Sequence, residues 1–262
     1  MADEIVEREL WDHYSELPNP AWYEYKNNNN INMIKLPIDR KTKRKLKAEY
    51  KKFLGAIERV DADMIGESIV NYLIPGVDYT DKVCLDLGAN VGGFSKIAMD
   101  FGASKVIAVE CDPRNYDMLE NSFNDSDNVE VIHAAVSALE DDTIKIYKNN
   151  SQKNHCSTSI IKKKNNQFKE YDEVQNIKFN ELVNKYSPDI IKIDIEGAEY
   201  QILEDVLDYY PDVLLIEMHA GSHKDLIEDA VQSLVEKYPK NKIEPIIIFT
   251  DNLIGYDCSF IK

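Results

Sequence analysis

Two apolar runs of this chain end in ionisable residues: IIKIDIEGAEY at 190 to 200 and LLIEMHA at 214 to 220. In each, residues two apart carry the charge, Asp194 with Glu196 and Glu217 with His219. On an extended strand such residues face the same side, so all four are expected to converge on one cleft. Carboxylates beside an imidazole suit proton transfer, and histidine has the ordinary pKa nearest neutrality. His219 and the three acids are thus the candidate catalytic residues, with His219 favoured as base. The plainer reading of His219 is a strand-end ring satisfied by backbone. Asp194, Glu196 and Glu217 also offer hard oxygen ligands for a divalent cation, magnesium or manganese. Glu199 opens the next helix, where an acid suits the positive end of the dipole.

A third stretch, KVCLDLGANVGGFSKIAMDFGASKVIAVECD at 82 to 112, reads as strand, glycine turn, helix and second strand. Ligands of an open parallel sheet bind beyond the carboxyl ends of its strands. Gly88 and Gly92-Gly93 are expected there, letting backbone N–H groups approach a ligand at a helix N-terminus. Glu110 ends the second strand 22 residues after Gly88, where an acid accepts from two ribose hydroxyls. A dinucleotide would call for glycine at position 90, which is Asn90. The acids Asp86, Glu110 and Asp112 suit a ligand with ribose hydroxyls and positive charge but no phosphate, as in S-adenosylmethionine.

The D-L-G-A-N-V-G-G block followed by a strand ending in Glu resembles the signature of class I methyltransferases. The block Lys192-Ile193-Asp194-Ile195-Glu196-Gly197-Ala198-Glu199 matches the K-I-D-x-E-G-A-E of the FkbM family of S-adenosylmethionine-dependent methyltransferases. Phe179 to Leu182 and Cys156 to Ser159 stand where that family has a helix start and a Ser-rich segment, so the resemblance spans about 80 to 220. It implies cofactor contacts from Asp86, Gly88, Asn90 and Gly92, ribose on Glu110, and adenine beside Cys111, Ala134 and Ala135. Asp194 would meet the methyl donor. The family implies O-methylation of hydroxyls on sugars or other small molecules. A methyltransferase acting on nucleic acid or protein is the alternative, and a non-catalytic S-adenosylmethionine-binding protein a third. An NAD-dependent oxidoreductase comes last.

These residues need a sheet to carry them. Strands are expected at 82–87, 105–110, 129–135, 143–147, 190–195, 213–217, 244–250 and 256–262. Helices are expected at 93–101, 113–124, 179–186, 198–207 and 223–237, with a polar loop at about 148–176. Alternating strands and helices predict a doubly wound, mostly parallel seven-stranded sheet over 76–262. Residues 1–75 form a helical N-terminal extension, with a helix around 62–73 closing at Pro75-Gly76 and a loop at Asn27–Asn30.

The net charge of −16 over 262 residues opposes broad attraction to nucleic acid or anionic membrane. One local exception is basic, the run from Lys26 to Lys52, opposed by Asp39 and Glu49. Leu46, Tyr50, Phe53, Leu54 and Ile57 recur there at helical spacing, so a helix with a solvated basic face is expected, and a docking surface is the other reading. His155 reads as a surface residue. Cys84, Cys111, Cys156 and Cys258 are scattered without metal-ligand spacing, and Cys84 reads as core. No run is long enough to span a membrane and the N-terminus lacks signal-peptide order. A soluble cytoplasmic protein with reduced thiols is expected.

Overall fold

The computed structural model describes residues 40–55, 61, 64–66, 68, 71–72, 77–149, 158–160, 168–219, 226–238, 240–248 and 252–262. The expected loop at Asn27–Asn30, Ile57, Pro75-Gly76, His155 and Cys156 lie outside them.

The strands at the centre are apolar almost throughout. They are β1 (Val83–Leu87), β2 (Lys105–Glu110), β8 (Ile190–Ile193) and β9 (Val213–His219). Such runs form where helices cover both faces of a parallel sheet. Successive side chains alternate between the two faces. Leu85, Ile107, Ile191 and Leu214 enter one core with α4 (Phe179–Tyr186), α5 (Glu199–Tyr209) and α6 (Ile227–Lys237). Cys84, Val106, Ile190 and Val213 enter the other. That second core is closed by α2 (Gly93–Asp100), α3 (Pro113–Phe123) and α1 (Arg40–Phe53).

The sheet order is β10-β11-β9-β8-β1-β2-β3, with β3 at Val129–His133, β10 at Lys240–Ile248 and β11 at Asn252–Ile261. β11 runs antiparallel to both its neighbours, and the other six strands share one direction. The chain leaves β1 toward β2 and β3, then returns to β1's other side as β8. This reversal opens a crevice at the strand ends between β1 and β8.

The expected 148–176 loop is corrected. β7 (Phe168–Ile177) pairs antiparallel with β5 (Thr143–Asn149), and β4 (Ala135–Val136) and β6 (Thr158–Ser159) complete a second, four-stranded sheet. Its small core is Ala135, Ile144, Ile146 and Val174. In FKEYDEVQNI the bulky residues recur every third position, which hides the period of two that marks a strand. β8 also stops at Ile193, two residues short of the expected end.

Of the expected inward face of α1, Tyr50 and Leu54 are buried in the second core, each burial worth about 1.5–3 kcal/mol. Phe53 is a correction, since it stays 43% exposed with its ring edge on Phe123. Arg44, Lys45 and Lys52 are exposed, as a solvated basic face requires. Cys84 is fully buried, as expected. Of the helix expected at 62–73, Met64, Ile65, Gly66, Ser68 and Asn71 are helical.

Candidate functional site: a cleft at the β1–β8 switch point

β1 ends in a turn with three left-handed residues. Gly88 has φ +74, and a Cβ there would lie 1.8 Å from the Asp194 carbonyl oxygen, so no other residue fits. Asn90 has φ 53, a conformation asparagine tolerates, and its side-chain oxygen accepts from Val91 N at 2.7 Å. Asn90 therefore adopts the backbone shape that glycine would supply. Gly92 has φ +92 and faces Leu119, away from the crevice.

The amides of Gly88, Ala89, Asn90 and Gly92 are already paired within the fold, which corrects the expectation that those of Gly88 and Gly92 are open to a ligand. Gly88 N and Ala89 N both donate to Val109 O, and Gly92 N donates to Ala89 O. Asn90 N donates to Glu110 Oε2 at 2.7 Å, and Asp112 N to Glu110 Oε1 at 2.7 Å. Glu110 is thus fixed with both oxygens in place, each keeping lone-pair capacity. Burial pushes its carboxyl up to about 7 despite those two amides.

Between this turn and the end of β8 lies a cavity of about 350 Å³. Its lining includes Gly88, Asn90, Glu110, Cys111, Ala134 and Ala135 together with Asp194, Glu196 and Glu217. Met64, Ser68 and Tyr72 also line it, as do Thr158 of the second sheet and Ile160 just after it. Two predicted contacts do not reach this lining. Gly92 packs into the core, and Asp86 is fully buried, accepting from Ser95 Oγ at 2.7 Å with Lys192 Nζ at 3.4 Å.

The acid side is assembled differently from the expected pair of strand ends. Asp194 and Glu196 lie past the strand, and Glu196 sits at φ 55 in the turn before α5, so strand alternation does not align them. The second sheet holds that turn: Ser159 Oγ donates to Glu196 O at 2.7 Å. On β9 the alternation holds, and His219 Nε2 lies 3.2 Å from Glu217 Oε1 and 3.8 Å from Glu196 Oε2.

Glu199, read above as a helix-dipole residue, has a larger part. It is fully buried, and its Oε1 accepts from Ile195 N, Gly197 N and His219 Nδ1 at 3.2, 3.0 and 2.9 Å. One carboxylate oxygen therefore ties the β8–α5 turn to the end of β9. Burial disfavours the His219 imidazolium, but Glu199, Glu217 and Glu196 outweigh it and hold its pKa well above the ordinary value. Burial and the nearby Asp194 push Glu217 up to about 7 against the pull of His219.

Lys192 was also missed. Its Nζ donates to Gly88 O at 2.6 Å and lies 3.4 Å from Leu87 O and 3.6 Å from Asp194 Oδ2. Burial works against its charge, and Asp86, Asp194 and Glu110 more than compensate. The signal was a lysine inside the apolar run IIKID, since a buried lysine needs partners. Asp194, Glu217 and His219 bring one ligand atom each within 4.8 Å of one another, a donor set that fits a divalent cation, with His219 in place of the predicted Glu196.

A sheet switch point with a buried acid ending β2, opposite clustered acids, agrees with the S-adenosylmethionine-dependent methyltransferase expected from the sequence. The model of the methyltransferase FkbM domain matches residues 86–237, more than half of the chain, which belongs to that family and to its enzyme class. No curated protein sequence matches the chain. Among solved structures, it is similar to a proposed RNA methyltransferase of Pyrococcus horikoshii, at 18% identity and TM-score 0.44, over 84% of this chain and 96% of that one. It is also similar to precorrin-6y C5,15-methyltransferase of Geobacter metallireducens, at 12% identity and TM-score 0.44, over 77% and 88%. TYW2 of M. jannaschii in complex with AdoMet matches at 11% identity and TM-score 0.43, over 78% and 76%.

Proposed function

We propose that the chain methylates a hydroxyl of a sugar, glycan or other small molecule, with Glu217 taking the proton. The observation that carries this reading is Glu217 itself, in the cavity wall with a carboxyl near 7 and one oxygen on His219. A base works best when its pKa lies near the working pH. His219, held charged between carboxylates, donates rather than accepts, so the base role passes from histidine to Glu217.

In the reaction, the acceptor oxygen attacks the methyl carbon in line with the sulfonium. An O–CH3 bond forms, the C–S bond breaks, the hydroxyl proton passes to Glu217, and S-adenosylhomocysteine leaves. Glu110 holds the ribose, with Cys111, Ala134 and Ala135 beside the adenine. Asp194 faces the donor, and Glu196 lines the acceptor side. The chain's own contribution is alignment and proton removal, and alignment is a large part of such a barrier.

A cation on Asp194, Glu217 and His219 is the second chemical version, favoured by their mutual approach. When bound it would lower the pKa of an acceptor hydroxyl. The exposed lysines and arginine of α1 favour the other acceptor class, nucleic acid or protein. Among the described residues no helix is long and apolar enough to cross a membrane. Cys84 and Cys111 are free thiols, which suits a cytoplasmic setting.

The test is transfer of labelled methyl to a panel of nucleotide sugars, glycans and RNA. Transfer to a hydroxyl compound is expected, and Glu217→Gln should slow it about 10²–10⁴-fold while leaving S-adenosylhomocysteine binding nearly intact. Chelator sensitivity restored by magnesium or manganese would replace the proton-acceptor version with the cation. Salt-sensitive transfer to RNA alone would overturn the acceptor class.

A further inference from the structure

Methyl transfer as described leaves one buried cation without a role. Lys192 lies in the short strand β8, and its side chain is 4% exposed. Its nitrogen reaches across to the neighbouring strand end: Gly88 O at 2.6 Å, Leu87 O at 3.4 Å and the Asp86 carboxylate at 3.4 Å. The Tyr72 ring, which lines the cavity, stands 5.6 Å from it.

Two features show that these contacts matter to the turn as well as to charge balance. Gly88 N and Ala89 N are spent on Val109 O and Asn90 N on Glu110, so they hold the turn to β2. Toward β8 it is held by Asp194 N on Leu87 O and by Lys192 Nζ on Gly88 O. Gly88 also packs so close to the Asp194 carbonyl that a Cβ cannot enter. The distance between the glycine turn and Asp194 is therefore set by the backbone bond from Asp194 N to Leu87 O at 3.0 Å, by this contact, and by the Lys192 ammonium on the Gly88 carbonyl. A buried carbonyl that loses such a donor costs about as much as a lost charged hydrogen bond.

We propose that Lys192 is a positioning residue for the methyl donor, pinning the Gly88 carbonyl so that the glycine turn and Asp194 keep the spacing the donor requires. Neutralising Asp86 is a separate service of the same ammonium. The proposal rests on the donor site at this turn and is independent of which acceptor is methylated.

The two services separate by substitution, using S-adenosylhomocysteine as the calorimetric probe and thermal unfolding as the control for folding. Lys192→Met is expected to lose tenfold or more in affinity, in keeping with one charged hydrogen bond. The double variant Asp86→Asn with Lys192→Met leaves no buried carboxylate unpaired. It should recover thermal stability yet bind as weakly as the single variant. Lys192→Arg keeps the charge but puts a wide planar group where a point donor sat, and it too should bind weakly. Affinity within threefold of wild type for Lys192→Arg, or affinity recovered together with stability in the double variant, would show a counter-charge only and overturn the proposal. Wild-type protein that fails to bind the probe would remove the donor site itself and this proposal with it. Normal wild-type binding with normal variants would sink the proposal alone.

Discussion

Glu110 and Glu217 are both pushed up to about 7, for related reasons and with different uses. Glu110 is desolvated in the cavity wall while two amides fix its two oxygens, the placement the proposed ribose contact needs. A carboxyl whose pKa is raised by folding adds stability below its ordinary pKa, and loses that contribution as pH rises through about 7. Donor binding runs the other way, because the ionised form is the one that accepts from two hydroxyls. Affinity for S-adenosylhomocysteine should therefore weaken as pH falls from about 8 to about 5.5, approaching tenfold per unit below the shifted pKa. Glu110→Gln should flatten this profile and lose about 1.5–3 kcal/mol of binding. Calorimetry across that range checks it, and a wild-type profile without slope would rule out Glu110 as the ribose acceptor. Glu199 shows a different use of a buried acid. It charges and orients His219, which in turn gives Glu217 its hydrogen-bond donor.

At the scale of elements, the cleft depends on three chain segments meeting within a few ångströms: the turn after β1, the turn after β8 and the small second sheet. Gly88 is where the first two touch. Gly88→Ala would place a methyl 1.8 Å from a backbone oxygen at φ +74, so neither side can yield cheaply. A loss of about 3 kcal/mol or more is expected, from strain and overpacking together. Gly102 gives the comparison. Its φ is +98, but the nearest atom to an added Cβ is 3.5 Å away, so Gly102→Ala should cost only the backbone strain, about 1 kcal/mol. Urea unfolding of both variants distinguishes the cases. Equal losses would mean that the contact with Asp194 carries no weight. The second sheet joins the site through two hydroxyls, Thr158 on Asp112 and Ser159 on Glu196, and so connects the end of β2 to the turn after β8.

The whole molecule closes one cavity with residues from position 64 to position 217, so donor binding should stabilise the fold as a unit. At a ligand concentration of about 100 times Kd, linkage adds about 2.7 kcal/mol, or roughly 5–10 °C for a chain of this size. S-adenosylmethionine and S-adenosylhomocysteine should both produce that shift in a thermal melt, and NAD should produce none. A shift with NAD alone would contradict the donor assignment. The net charge of −16 also predicts poor retention of anionic polymers at physiological salt, with the basic face of α1 the one local exception.

Much of the frame was legible in the residues alone. β2, α4 and the start of α2 fall where periodicity and glycine punctuation put them, because those signals are local and the strands are buried on both faces. Glu110 was legible for the same reason, as an acid at a strand end a fixed distance from a glycine turn. The charge of His219, the near-neutral Glu217 and the central place of Glu199 were not. A pKa is set by desolvation and by neighbours in space, and Glu199 and His219 are 20 positions apart. Lys192 and Gly88 are 104 positions apart, and the hydroxyl of Ser159 lies 37 positions from the carbonyl it binds. The sequence determined which groups can do the chemistry, since their types and strand-end positions follow from local pattern. Only the tertiary structure decided which of them share a cavity, which have shifted pKa values and which one holds the others in place, because burial and long-range contact have no local pattern to announce them.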